Sequence, residues 1–122
     1  MENTVGFQPW TGKTAQGLEG VHGRLRIAIG DREIGTLLVE GVYVALIPDT
    51  SGPADATAVC ASEAVVRQLL RGDLNPFIAS MRRLARLKGD RGFGTRVMLG
   101  LQVGSPFSDL SDADEKRPQQ GV

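Results

Sequence analysis

A chain with one histidine and one cysteine has few routes to metal or nucleophile chemistry, and His22 and Cys60 stand in separate segments. A mononuclear zinc site needs three or four donors, and no acid or thiol neighbours His22 at ligand spacing. No metal centre is therefore expected. A nucleophile–base–orienter triad would have to join His22 to a serine or Cys60 and to a carboxylate, and no Gly-x-Ser-x-Gly elbow is present. Cys60 reads as a small buried strand residue. With no catalytic constellation in sight, neither enzymatic activity nor a cofactor is expected.

Two further stretches invite chemistry. Gly89-Asp90-Arg91-Gly92-Phe93-Gly94 puts glycines ahead of a helix, where backbone amides can hold an anion. It lacks the Gly-Lys-Ser/Thr ending of a nucleotide loop and the spacing of a dinucleotide fingerprint, so it reads as a strand-to-helix connection. The second stretch is uneven in charge: Arg82, Arg83, Arg86, Lys88, Arg91 and Arg96 face a single acid, Asp90, over fifteen positions. Such a run serves as a solvated face or as a docking patch for anionic headgroups, with Arg83, Arg86 and Arg96 the candidates for contact. Basic residues beside an anionic bilayer contribute about 1 kcal/mol each, enough for transient membrane contact. Nucleic acid is not expected as a partner, because aromatics are not interleaved and the 14 basic residues are balanced by 14 acidic ones.

The elements that would position these groups are legible from residue 23 onward. Leu25, Ile27 and Ile29 alternate with Arg24, Arg26 and Ala28, which predicts a strand with one wet face. Gly30-Asp31 turns the chain into a second strand over Glu33 to Glu40. Gly41 precedes a third, Val42 to Ile47, apolar on both sides. Pro48 to Pro53 is a loop by composition, and Ala54 to Ala61 is a fourth strand. Ser62 stands at a helix N-cap with Glu63 in the first turn, Val65, Val66, Leu69 and Leu70 form the apolar stripe, and Gly72 ends the helix. Asn75 caps a short helix that opens on Pro76. A fifth strand, Arg82 to Lys88, leads to a last helix striped by Phe93, Val97 and Leu101. The short connections predict a mainly antiparallel meander, an α+β fold with five strands and helices on one face.

At 122 residues the chain holds one core. Residues 1–22 read as an irregular segment: Val5, Phe7, Trp10 and Leu18 are interrupted by Gly6, Pro9, Gly12, Gly17 and Gly20. Residues 23–104 read as the folded domain, and 105–122 as a polar, disordered tail in which only Phe107 and Leu110 could fold back. No run of about eighteen apolar residues exists. The start lacks the basic and apolar regions of a secretory signal, and the sequence ends Gln120-Gly121-Val122, which together lead to the expectation of a cytoplasmic protein.

The stretch "ADATAVCASEAVVRQLLRGDLNP…M…LKGDRGFGTRVM" resembles the lipid-transfer domain of the sterol carrier protein-2 family. That family's pattern is an ADAT-like strand ending in Ser, an apolar helix, Gly-x-Leu-Asn-Pro, a Met, a Lys-Gly-Asp strand end and a terminal helix. The resemblance covers about Gly23 to Val103 and implies a non-enzymatic domain whose sheet and helices enclose an apolar cavity for a sterol, fatty acid, fatty acyl-CoA or phospholipid. Relatives usually begin with a long amphipathic helix closing one side of the cavity, and this chain lacks one. An irregular strap pinned by Phe7 and Trp10, or a second subunit, would have to take its place. Inside the matched region Arg83 stands where relatives commonly have Gly, and Ala85 where they have a large aliphatic. Ala85 would enlarge the cavity floor, and Arg83 would bring a cation to its mouth.

The lining implied by this reading comes from Leu25, Ile27, Leu38, Val44 and Leu46 on strands and from Leu70, Phe77, Ile78, Met81, Phe93, Val97 and Leu101 on helices. Met81 and Met98 are the adaptable fillers of a broad site. A second reading belongs to another class. Domains of this fold also occur appended to enzymes, and a surface uncovered by the missing helix would favour a homodimer or partner-enzyme interface carrying no lipid.

Overall fold

Apolar residues at every second position, broken by glycine turns, build the sheet of this protein. The structure is a computed structural model and describes residues 10–105 and 107, with side chains from Ala15 onward. In chain order its strands are β1 (Trp10–Thr14), β2 (His22–Ile29), β3 (Arg32–Glu40), β4 (Tyr43–Ile47), β5 (Ala56–Cys60) and β6 (Ala85–Gly89). The helices are α1 (Glu63–Arg71), α2 (Pro76–Met81) and α3 (Arg91–Gly104), and a 3₁₀ turn, Gln16–Leu18, follows β1. The architecture is α+β, as expected, with a sheet ordered β1-β4-β3-β2-β5-β6.

Register decides which side chains face the helices. Leu25 lies beside Leu37, Leu37 beside Leu46, and Val39 beside Val44. These residues form one apolar face, on which α1 lays Val65, Val66, Leu69 and Leu70, and α3 lays Val97, Met98 and Leu101. Burying each such side chain contributes about 1.5–3 kcal/mol, so this layer is the main source of stability. The local signals at helix ends act as read. The Val65 amide donates to Ser62 Oγ at 3.3 Å, and the Phe77 amide to Asn75 Oδ1 at 2.8 Å. Asp90 caps α3 in the same way, accepting from the Phe93 amide at 3.0 Å.

Four expectations are corrected. The sheet has six strands and not five, because β1 pairs with β4 as an added edge within the segment read as irregular. Its five residues include a glycine and no alternating apolar pattern, so only the open edge of β4 calls it into place. The sheet is also not a simple meander: β5 pairs in parallel with β2, Leu25 beside Ala56, after the chain crosses from β4. The folded body runs past residue 104, since Phe107 is fully buried and Ser105 Oγ donates to the Leu70 carbonyl at 2.5 Å. Phe7, Leu110 and the rest of 108–122 lie outside the described residues, as does the side chain of Trp10.

The face of β2 expected to be wet is, fourthly, covered at Arg26. Arg26 is 5% exposed, and its guanidinium is enclosed by the 48–55 crossover. Nε donates to Thr36 Oγ1 at 2.9 Å, and Nη1 to the Thr50 carbonyl at 2.9 Å and Glu33 Oε1 at 3.2 Å. Nη2 donates to the Ser51 and Gly52 carbonyls at 3.2 and 2.9 Å. A composition-based loop is thus a folded strap over the outer face of the sheet, and a buried arginine holds it. The planar fork of arginine suits a cluster of carbonyls, which is why burial of this charge is tolerated.

Candidate functional site

β6 is the sheet's last strand and pairs with β5 alone, so its free side is left for α2 and α3 to border. α2 is held at its start by Asn75 and buries only Pro76 and Ala79. α3 rises from the Asp90 cap and lies so close to β6 that a methyl group on Gly94 would stand 2.7 Å from Leu87 Cδ2. Between the three elements runs a groove of about 240 Å³, lined by Pro76, Phe77, Ser80, Ala85, Arg86, Leu87, Arg91, Thr95 and Met98. Its walls are mostly apolar, with the hydroxyls of Ser80 and Thr95 and two arginines among them. An open recess of about 440 Å³ adjoins the strand's start, where Arg83, Arg86 and Ala85 meet Gly30, Val59 and Cys60. Ser80, Ala85 and Arg86 border both spaces.

The space between sheet and helices is different. Where Leu25, Ile27, Ala58 and Cys60 face Val66, Leu69, Leu70, Met98 and Leu101, the void amounts to about 10 Å³, room for one water at most. The enclosed apolar cavity of the sequence reading is therefore not found at this place. β5 offers only Ala56, Ala58 and Cys60 on that face, and α1 and α3 settle onto these small residues until the gap closes. Burial pushes the Cys60 thiol up to about 12, which removes the thiolate that redox or nucleophile chemistry would need. Among the described residues no three His, Cys, Asp or Glu side chains converge as metal ligands. His22 is exposed, its Nδ1 3.7 Å from Glu40 Oε1 across the β2–β3 pair. No helix among the described residues is long and apolar enough to cross a membrane.

No family model and no curated protein sequence matches the chain. Solved structures do. A crystal structure of sterol carrier protein 2 superposes with a TM-score of 0.55 at 18% identity, covering 78% of this chain and 82% of that one. A ubiquinone synthesis protein described as UbiJ-SCP2 superposes at 0.52 with 16% identity, covering 71% and 73%.

The chain has the sterol carrier protein 2 fold.

A stereoselective inverting sec-alkylsulfatase from a Pseudomonas species contains a similar unit, with a TM-score of 0.57, 16% identity and 77% of this chain covered. The match spans 15% of that enzyme's length, so a unit of this shape also occurs inside a larger polypeptide.

Within this sterol carrier fold the sequence-derived lining divides into three groups. Leu25, Ile27, Val44, Leu46, Leu70, Val97 and Leu101 face the helix–sheet layer, but they are packed core, each at most 3% exposed. Leu38 is on the opposite face, in register with Arg24 and Ala45, and its neighbour Leu37 points inward in its place. Strand parity explains that miss: both leucines are apolar, and only the pairing partners tell which side each occupies. Phe77 borders the groove, whereas Ile78 and Met81 point to solvent and Phe93 packs over Gly23. Arg83 and Arg86 border the recess, and Arg96 borders neither space. Arg91, Leu87 and Thr95 were not among the candidates. Arg91 and Thr95 lie a helical turn apart (i, i+4) at the start of α3, the one pattern that could have drawn attention to them.

Proposed function

We propose that this protein binds one amphiphilic lipid in the α2–β6–α3 groove and carries it through an aqueous compartment, the cytoplasm, without chemical conversion. The observation that carries this reading is an apolar groove with two arginines at its walls on a sterol carrier fold. Each buried methylene contributes about 0.8 kcal/mol, so Phe77, Leu87 and Met98 can hold an aliphatic chain by area alone. Arg86 and Arg91 complement an anionic head, as in a fatty acid or an acyl phosphate ester. At about 240 Å³ the groove is smaller than the roughly 300–1,000 Å³ of small-molecule pockets. It would therefore clasp a lipid along part of its length, with α2 as the wall that yields. Solvent extraction of the purified protein followed by mass spectrometry tests this, together with titration of a fluorescent fatty acid. Near-stoichiometric lipid and at least tenfold weaker titration by Thr95→Trp, which fills the groove, are expected.

A second reading is favoured by one observation, the filled space between sheet and helices. In that reading the domain is a dimerisation or partner-enzyme module and carries nothing. Lipid-free extracts from a stable dimer, seen by light scattering, would establish it at the expense of the first.

A further inference from the structure

We propose that α2 is a membrane-docking element, its Phe77, Ile78 and Met81 side chains entering the surface of an anionic bilayer while Arg82, Arg83 and Arg86 hold lipid phosphates around them. Phe77, Ile78 and Met81 are 57%, 43% and 80% exposed, which leaves three of the described chain's five large exposed apolar residues on one six-residue helix. Sequence spacing puts 77 with 81 and 78 with 81 on one side of the helix, away from buried Pro76 and Ala79. Arg82, Arg83 and Arg86 follow directly and are all exposed. None of the three makes an ion pair among the described residues. Exposed apolar tips fringed by unpaired cations are complementary to a surface that is greasy beneath and negative above.

The backbone adds an independent argument. Arg83 holds φ +60, the left-handed conformation that closes α2: its amide donates to the Ser80 carbonyl at 3.0 Å, and the Leu84 amide to Ala79 at 2.8 Å. Gly72 closes α1 by the same pair of bonds, at φ +80. Glycine takes this conformation freely and arginine does not. Strain retained at an exposed position points to a use for the side chain, here its charge.

A second copy of the chain fits the patch less well. Three side chains offer roughly a few hundred Å², short of the roughly 800 Å² per partner of a standard interface, and a two-fold contact would set arginines against arginines.

Co-sedimentation of the full chain with mixed phosphatidylcholine–phosphatidylglycerol vesicles tests the proposal. Binding to mixed but not to pure phosphatidylcholine vesicles is expected. The double variant Ile78→Glu, Met81→Glu should lose at least tenfold, and Arg82→Gln about fivefold with a weaker dependence on salt. Tyr43→Glu, 62% exposed at the other end of the sheet, should change nothing. Ile78 and Met81 do not border the groove, so fluorescent fatty-acid titration stays intact in the double variant even where vesicle binding is lost. Equal binding to neutral vesicles, or vesicle binding untouched by the double variant, overturns the proposal. So does a dimer that Met81→Glu dissociates in the absence of vesicle binding.

Discussion

Gly17 and Gly100 meet backbone to backbone: a methyl group on Gly100 would stand 2.6 Å from the Gly17 carbonyl oxygen, and one on Gly17 would strike the Gly100 carbonyl. This contact joins the 3₁₀ turn after β1 to the middle of α3 and sets Leu18, fully buried, against the same helix. The turn after β1, drawn from the segment read as irregular, thereby closes this end of the core.

Gly100→Ala is accordingly expected to destabilise the protein by about 2 kcal/mol, although alanine is the better helix former by nearly 1 kcal/mol. Chemical denaturation of the two proteins measures the difference. Gly104→Ala in the same helix, where no atom from another part of the described residues lies within 4 Å of the added methyl, should be neutral or stabilising and serves as the control.

Arg83 gives a prediction of opposite sign. Replacing it with glycine relieves the left-handed strain, worth about 1 kcal/mol, and should raise the melting temperature by about 4 °C. The same variant should bind anionic vesicles less well, so stability and docking move in opposite directions.

Arg26 should not tolerate its usual substitute. Lysine has three donors on a point charge and cannot serve five acceptors in a plane. Arg26→Lys is expected to cost about 2–3 kcal/mol by leaving partly buried carbonyls unpaired and the Thr36 hydroxyl without its buried donor. Hydrogen exchange localises the effect: protection should fall in the crossover strap and at Thr36, whose hydroxyl donates to the Asp49 carbonyl at 2.6 Å.

The Cys60 thiol makes stability fall in alkali. Its folded value, about 12, lies above the ordinary 9.0, so both states are protonated below pH 9 and the stabilising effect is whole there. Between pH 9 and 12 the unfolded thiol ionises while the folded one does not, and stability drops by up to about 1.4 kcal/mol per unit. Denaturation midpoints of wild type and Cys60→Ala should therefore converge as pH rises from 9 to 11. In the native protein the thiol should resist alkylation at neutral pH.

Local rules determined much of this protein. Ser62, Gly72, Asn75 and Pro76 mark their helix ends through local geometry and bonds that reach no further than five residues, and they act in the fold as their types dictate. The alternation of Leu25, Ile27 and Ile29 located a strand for the same reason, and the charge run from Arg82 to Arg96 was plain in the letters. What the letters could not carry was pairing over distance. That β1 adds to β4, that β5 crosses to lie parallel to β2, and that Leu37 faces in while Leu38 faces out are set by which edges remain open once the hairpins form. Burial of Arg26 depends on carbonyls some 25 residues downstream. Open space, too, was decided in three dimensions: small residues on β5 let α1 and α3 settle against the sheet there, whereas a groove opens beside β6, where α2 and α3 border the sheet's edge.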